Sequence, residues 1–233
     1  MLELIKNGKV RKAKKYLHKH NDENVSKYLC HASAFNNIKM VEMLIRKGAN
    51  VNYYTDEMEA PLYHAIINKQ PLIVEYLLNH GAFVNSITYN NYHIHNLYAA
   101  FSYRCTEIFK VLLDHGANPD CICHDDIPIL WHTVSTWMVE ETRMLLERGC
   151  NVNFQDKRGV TVFSFVSQST PLELYCLLLQ YGGNPRIVSY RNHSHYPHAS
   201  ILQKRIFKRG EVGTLLMSSG WHKDVVYSLL NFL

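Results

Sequence analysis

Residues 74–85 read VEYLLNHGAFVN: an apolar run that stops on Gly81 and continues into Ala-Phe-Val-Asn. Val74, Leu77 and Leu78 fall at the i, i+3, i+4 spacing that lines one face of a helix. Glycine takes the left-handed conformation without a side-chain penalty, so Gly81 is where such a helix ends. The phrase has copies: VEMLIRKGANVN, FKVLLDHGANPD, TRMLLERGCNVN and LYCLLLQYGGNPR. Their glycines are Gly48, Gly81, Gly116, Gly149 and Gly182, with gaps of 33, 35, 33 and 33 residues. A period near 33 is the mark of stacked helical units.

The upstream half of each unit recurs in phase, nineteen residues before its glycine, as APLYHA (60–65), HNLYAA (95–100), PILWHT (128–133) and TVFSFV (161–166). Pro61 suits a first helical position, where its missing N–H costs no hydrogen bond. Ala65 and Ala100 are small enough to let neighbouring helices approach, and pairs such as Leu112-Leu113 form the buried stripe of a second helix. Asn50, Asn118, Asn151 and Asn184 suit the following turn, because an Asn side chain can bond nearby backbone.

With DKRG (156–159) ahead of TVFSFV, these phrases resemble the ankyrin repeat family, whose unit runs D-x-x-G-x-T-P-L-H-x-A and then a second helix ending L-L-x-x-G-A-x-V-N. The resemblance covers nearly the whole chain, although the Thr-Pro of the signature is never intact; Ala60-Pro61 and Thr161-Val162 come nearest. It implies an all-α repeat solenoid of helix-turn-helix plus hairpin, about six units with an incomplete N-terminal cap. The layout expected is a capping half-repeat over 1–20, an array over 21–188 with full units near 21–54, 55–87, 88–122, 123–155 and 156–188, an irregular basic and His-rich insertion over 189–210, and a degenerate repeat or docking helix pair over 211–233. Within the cap, a first helix ends near Gly8 and a second runs from about Val10 to Lys19. The 35-residue gap places two extra residues in the hairpin NSITYNNYHI (85–94), lengthening one finger.

A chain of 233 residues that is 47% hydrophobic can bury a substantial core. No apolar run approaches the roughly eighteen residues that span a membrane. The first twenty residues carry seven Lys or Arg and no apolar h-region, which excludes a secretory signal. Six cysteines without paired spacing suit a reducing compartment, and the expected setting is cytosol, with the nucleus as alternative. The formal charge of +5 is local: those seven basic residues and Glu3 give +6 for residues 1–20, leaving −1 for the rest.

Hydrolase, zincin, P-loop and dinucleotide-binding motifs are missing, and the expectation is a non-enzymatic chain without cofactor or metal. CICHDD gathers Cys121, Cys123, His124 and Asp125, zinc-ligand types at a spacing unlike structural zinc sites; the register places them on a solvent-facing hairpin with reduced thiols. His193, His195 and His198 in NHSHYPH lack a carboxylate or thiol companion and read as a polar surface loop. KVRKAKKYLHKH reads first as the solvated face of a capping helix, then as a nuclear-localisation or acidic-partner patch, and last as a nucleic-acid site, since the aromatics that single-stranded RNA readers use are not interleaved.

A stacked array offers an extended concave surface suited to a large partner. In ankyrin proteins the resemblance implies binding by hairpin tips and by the solvent side of first helices. In this chain the tips are Asp56, Glu57 and Glu59; Asn91, Tyr92 and Ile94; His124, Asp125 and Ile127; and Lys157, Arg158 and Val160. The helix positions are Asn68, Ser102, Tyr103, Ser135, Thr136, Gln168 and Ser169. Tyr92 and Tyr103 stand out because tyrosine gives large contact area with few torsions to freeze. From the third unit to the sixth the finger charge passes from acidic through neutral to basic, which would orient a partner.

The expected function is a protein–protein interaction module (adaptor, scaffold or inhibitor) that is monomeric by itself and binds neither nucleic acid nor membrane. Competing readings are a ubiquitin-ligase substrate adaptor docking through 187–233, and a metal-dependent enzyme using the histidine-rich insertion. The resemblance also implies that Asn52, Asn85 or Asn153 could be hydroxylated.

Overall fold

Every repeat-spaced glycine closes a helix in the computed structural model, which describes residues 1–20, 25–88, 94–123, 126–166, 170–184 and 187. The chain divides into two compact units, Met1–Asp126 and Ile127–Leu233.

In the first unit helices come in contacting pairs: α1 (Leu2–Lys6) with α2 (Val10–His20), α3 (Val25–Ala34) with α4 (Ile38–Arg46), α5 (Pro61–Ile67) with α6 (Pro71–Asn79), and α7 (Asn96–Ser102) with α8 (Thr106–Asp114). First helices pack on first helices, α1 on α3, α3 on α5 and α5 on α7; second helices do likewise, α2 on α4, α4 on α6 and α6 on α8. Two ladders of like elements, in register, are what a repeat solenoid is made of. The core between them is Leu29, Leu44, Leu62, Ile66, Ile73, Leu77, Ile108 and Leu112, all essentially without solvent contact. Ala65 and Ala100 are likewise buried where α5 meets its neighbours.

The second unit contains α9 (Ile129–Ser135), α10 (Val139–Glu147) and α11 (Leu172–Gln180). Its second first-helix position departs from expectation. TVFSFV supplies a single 3-10 turn over Val162–Phe165 in place of an α-helix. β-Branched and aromatic residues crowd this short segment, and Thr161 and Val166 at its ends are extended, which denies an α-helix its length. The turn still packs on α9, with Phe165 5.3 Å from the Trp131 ring and Phe154 5.9 Å from it.

The five helices ahead of the repeat glycines, α4, α6, α8, α10 and α11, end alike. The glycine takes positive φ (+79° to +87°) and its N–H bonds the carbonyl three residues back, while the next residue bonds five back: Gly48 to Ile45 and Ala49 to Leu44, Gly81 to Leu78 and Ala82 to Leu77, and so on to Gly183 with Leu178. This double bond, the Schellman arrangement, occupies carbonyls that a helix end otherwise leaves to water. Three first helices, α5, α7 and α9, end by the same bonds without glycine, whereas α1 ends on Gly8 at φ 62°. Lys69, Arg104 and Trp137 occupy the left-handed position at φ 54°, 51° and 60°.

Three hairpins are each joined to the next by one asparagine side chain. Asn52 Nδ2 donates to the Gly81 carbonyl (2.9 Å) while its Oδ1 accepts from the Phe83 N–H (2.8 Å). Asn85 does the same with Gly116 (3.2 Å) and Asn118 (2.8 Å), and Asn153 with Gly182 (2.9 Å) and Asn184 (2.8 Å). The preceding asparagines shape the turn: Asn50, Asn118 and Asn151 each accept a backbone N–H two residues on.

Candidate partner-binding surface

The first finger is a tight turn. Thr55 N–H donates to the Glu59 carbonyl (3.0 Å) and its hydroxyl accepts from the Glu59 N–H (3.3 Å), with Met58 left-handed at φ 59°. Asp56, Glu57 and Met58 stand exposed at the tip, while Glu59 is folded back, half-buried, 3.4 Å from His64 Nε2 on α5. Lys27 on α3 reaches Asp56 at 3.7 Å, a solvent-exposed pair of little energetic weight. Burial holds the His64 and His31 imidazoles below their usual 6.5, helped by the charge of His31 at His64 and of Lys27 at His31, while Glu57 works against that at both. A neutral His64 carrying its proton on Nε2 can donate to Glu59, so the contact and the lowered pKa agree. The Glu57 carboxyl is itself held low by its backbone hydrogen bond and by Thr55. Lys27, His31 and His64 thus join the acidic tip, although the sequence reading did not place them there. Their signal was available: His31 and His64 are 33 residues apart in the same helical register.

In the second finger, β1 (Ile87–Thr88) pairs antiparallel with β2 (Ile94–His95), Ile87 opposite His95 and Thr88 opposite Ile94. Buried Asn96 pins the base, donating to the Val84 carbonyl (3.0 Å) and the Ser86 hydroxyl (2.9 Å). Ile94 is half-buried in β2, and Asn91 and Tyr92 lie outside the described residues. So do His124, Asp125, Gln168, Ser169 and the 193–198 histidines.

The helix candidates sit at the carboxyl ends of first helices. Asn68 caps α5, its Nδ2 donating to the His64 carbonyl (2.8 Å). Ser102 closes α7, and Tyr103 follows as its cap with 43% of its surface exposed. In the second unit Ser135 and Thr136 are exposed, yet both hydroxyls turn back to the His132 carbonyl (3.0 and 2.7 Å). Beside them Trp137 is 47% exposed in a left-handed turn, a conformation uncommon for a bulky residue, and it was not among the residues expected on this surface. In the DKRG finger Lys157 is exposed, whereas the Arg158 guanidinium is engaged by Asp156 (2.9 Å). Asp156 also accepts from the Arg158 and Val160 N–H groups, bonds that bring its pKa down despite desolvation. Val160 and Ile127 are half-buried.

One expectation is corrected. Cys121 and Cys123 are 3% and 5% exposed, packed inward and not displayed on a solvent-facing hairpin, because alternate residues of an extended segment share its buried side. Among the described residues no three His, Cys, Asp or Glu side chains converge as a metal site. Burial pushes the Cys30 thiol up to about 12 and Cys176 to about 11, so both stay protonated at neutral pH. No helix among the described residues is long and apolar enough to cross a membrane.

Comparison with known proteins gives consistent likenesses. Residues 2–88 match the sequence profile of ankyrin repeats (3 copies). An ankyrin repeat protein of Acanthamoeba polyphaga mimivirus is 25% identical over 155 residues, 66% of this chain and 20% of that protein. A second from the same virus is 33% identical over 103 residues, 42% of this chain and 62% of that protein. Human ankyrin repeat and SOCS box protein 6 is 29% identical over 160 residues, 62% of this chain and 36% of that protein. The chain therefore spans less than two thirds of the length of each of these relatives.

Proposed function

We propose that this ankyrin repeat chain is a non-enzymatic protein–protein interaction module, an adaptor, scaffold or inhibitor, that grips a protein partner along its concave hairpin and first-helix surface. The observation that carries the reading is the exposure of first-helix carboxyl ends at Asn68, Ser102, Tyr103, Ser135 and Thr136, with the exposed finger tips at Asp56–Glu57 and Lys157–Arg158. Asp56, Glu57, Tyr103 and Lys157 point to solvent at these edges, and Tyr92 belongs to the lengthened finger. Residues whose hydrogen-bonding groups are spent locally, Asn68, Ser135, Thr136 and Arg158, contribute shape more than polarity. The cap over 1–20 and the array over 21–188 form the scaffold in this reading, and its setting is the cytosol or nucleus.

The test begins with affinity purification to identify the partner. Tyr92→Ala with Tyr103→Ala then weakens that complex by about tenfold or more while leaving the melting temperature within a degree or two. Unchanged affinity would put the interface on another face.

A second reading, favoured by the likeness to the SOCS box protein, makes the chain a substrate-recognition adaptor of a ubiquitin-ligase complex. Residues 187–233 are then the docking segment, and deleting them removes ligase subunits from the purified complex while the array keeps its target.

A further inference from the structure

Helix α2 presents a second surface, remote in character from the fingers. Arg11, Lys14, Lys15, His18 and Lys19 follow the 0, 3, 4, 7, 8 spacing that aligns side chains along one face, about 12 Å long at 1.5 Å per residue. All five are exposed, and together they line one shallow depression. The opposite side holds the helix down through buried Ala13 and Leu17 against its neighbours. From Leu4 to Asn21 the chain contains no acidic residue, and none of the five makes an ion pair with another described residue. Like charges three and four apart repel, so this stripe costs the helix stability that opposite charges would restore.

We propose that this stripe is a docking site for an acidic protein segment, one carrying several closely spaced carboxylates. Three features favour carboxylates on a polypeptide over other anions. Tyr16, the aromatic residue of α2, is half-buried and held 4.5 Å from the His20 ring, which leaves no platform for stacking a base. No exposed apolar side chain accompanies the stripe on α2 to enter a bilayer interface. A single row of two helical turns matches the few charges of a short peptide and falls short of the six to ten phosphate contacts, roughly, of a duplex-binding surface.

The test uses the full chain and a fluorescent oligoglutamate of about eight residues, with oligouridylate of equal length and phosphatidylserine vesicles as comparison ligands. Lys14→Gln/Lys15→Gln/Lys19→Gln weakens oligoglutamate binding about tenfold, since each exposed pair contributes modestly. Lys47→Gln/Lys110→Gln, with exposed lysines on α4's end and α8, changes it less than about twofold. Binding weakens as salt rises from about 50 to about 200 mM. Arginine in place of the same three lysines keeps both fold and affinity, which separates charge loss from helix loss. Equal weakening by both glutamine sets, loss of binding in the arginine variant, or tighter retention of the RNA or the vesicles overturns the proposal. The finger residues are untouched in all variants, so the outcome is independent of the concave-surface reading.

Discussion

Glycines at the repeat joints do two different jobs. A Cβ added at Gly81 would meet no atom within 4 Å, so its φ of +85° is what demands glycine. Gly81→Ala should therefore cost about 1–2 kcal/mol, the left-handed penalty alone. Gly183 has no such φ, and stands where other units carry Ala49, Ala82, Ala117 or Cys150. There an added Cβ would lie 2.6 Å from the Leu178 carbonyl oxygen and 2.9 Å from the Phe163 ring. Gly183→Ala, although it restores the residue of the other units, should destabilise by about 1–3 kcal/mol through overpacking. Urea unfolding midpoints of the two variants check both; a neutral Gly183→Ala would mean that the backbone of α11 yields. The sequence made the first role legible, because period and residue type together mark a helix end. The second was hidden, since the close approach of the Leu178 carbonyl and the Phe163 ring to Gly183 leaves no mark in the period or the residue type.

The acidic finger and helices α3 and α5 form a titrating element. His31, His64 and His95 all have folded pKa values below 6.5, each primarily because burial disfavours the charged ring. Above 6.5 these rings are neutral in both folded and unfolded chains and add nothing to the pH dependence. As pH falls through 6.5 the unfolded chain takes up protons first, so stability drops until the folded pKa values are passed. Glu57, held below its ordinary 4.5, acts only further down the scale. Urea melts between pH 7.5 and 5.5 should show falling stability, and His64→Gln should flatten part of that slope; a flat wild-type profile would mean the rings are open to water. At this scale helix positions and finger locations could be read from the apolar period. The approach of Lys27 to the finger could not, because it comes from the preceding repeat and no local pattern announces it, whereas the 33-residue spacing of His31 and His64 did mark their shared register. Nor did spacing reveal that Cys121 and Cys123 point inward, since alternation along so short an extended segment fits either face.

Across the molecule, a chain of like layers distributes stability between neighbours. Leu112 is fully buried in α8, and Leu112→Ala should cost about 2–5 kcal/mol as a core truncation. Its effect should be graded: hydrogen exchange should quicken most in α8 and α6, which pack together, and least in α1 and α2. Uniform quickening throughout residues 1–126 would show that this unit unfolds all at once. The asparagine clasp bears on how such a molecule lengthens. Asn52, Asn85 and Asn153 each offer the next hairpin the same amide, and that hairpin offers back a glycine carbonyl and the N–H two residues on; Asp120 stands at the equivalent place in the remaining hairpin. An in-frame duplication or loss of a 33-residue segment bounded by such asparagines would join ends that already fit, so the length of the array is open to change by recombination, without any new joint having to be selected.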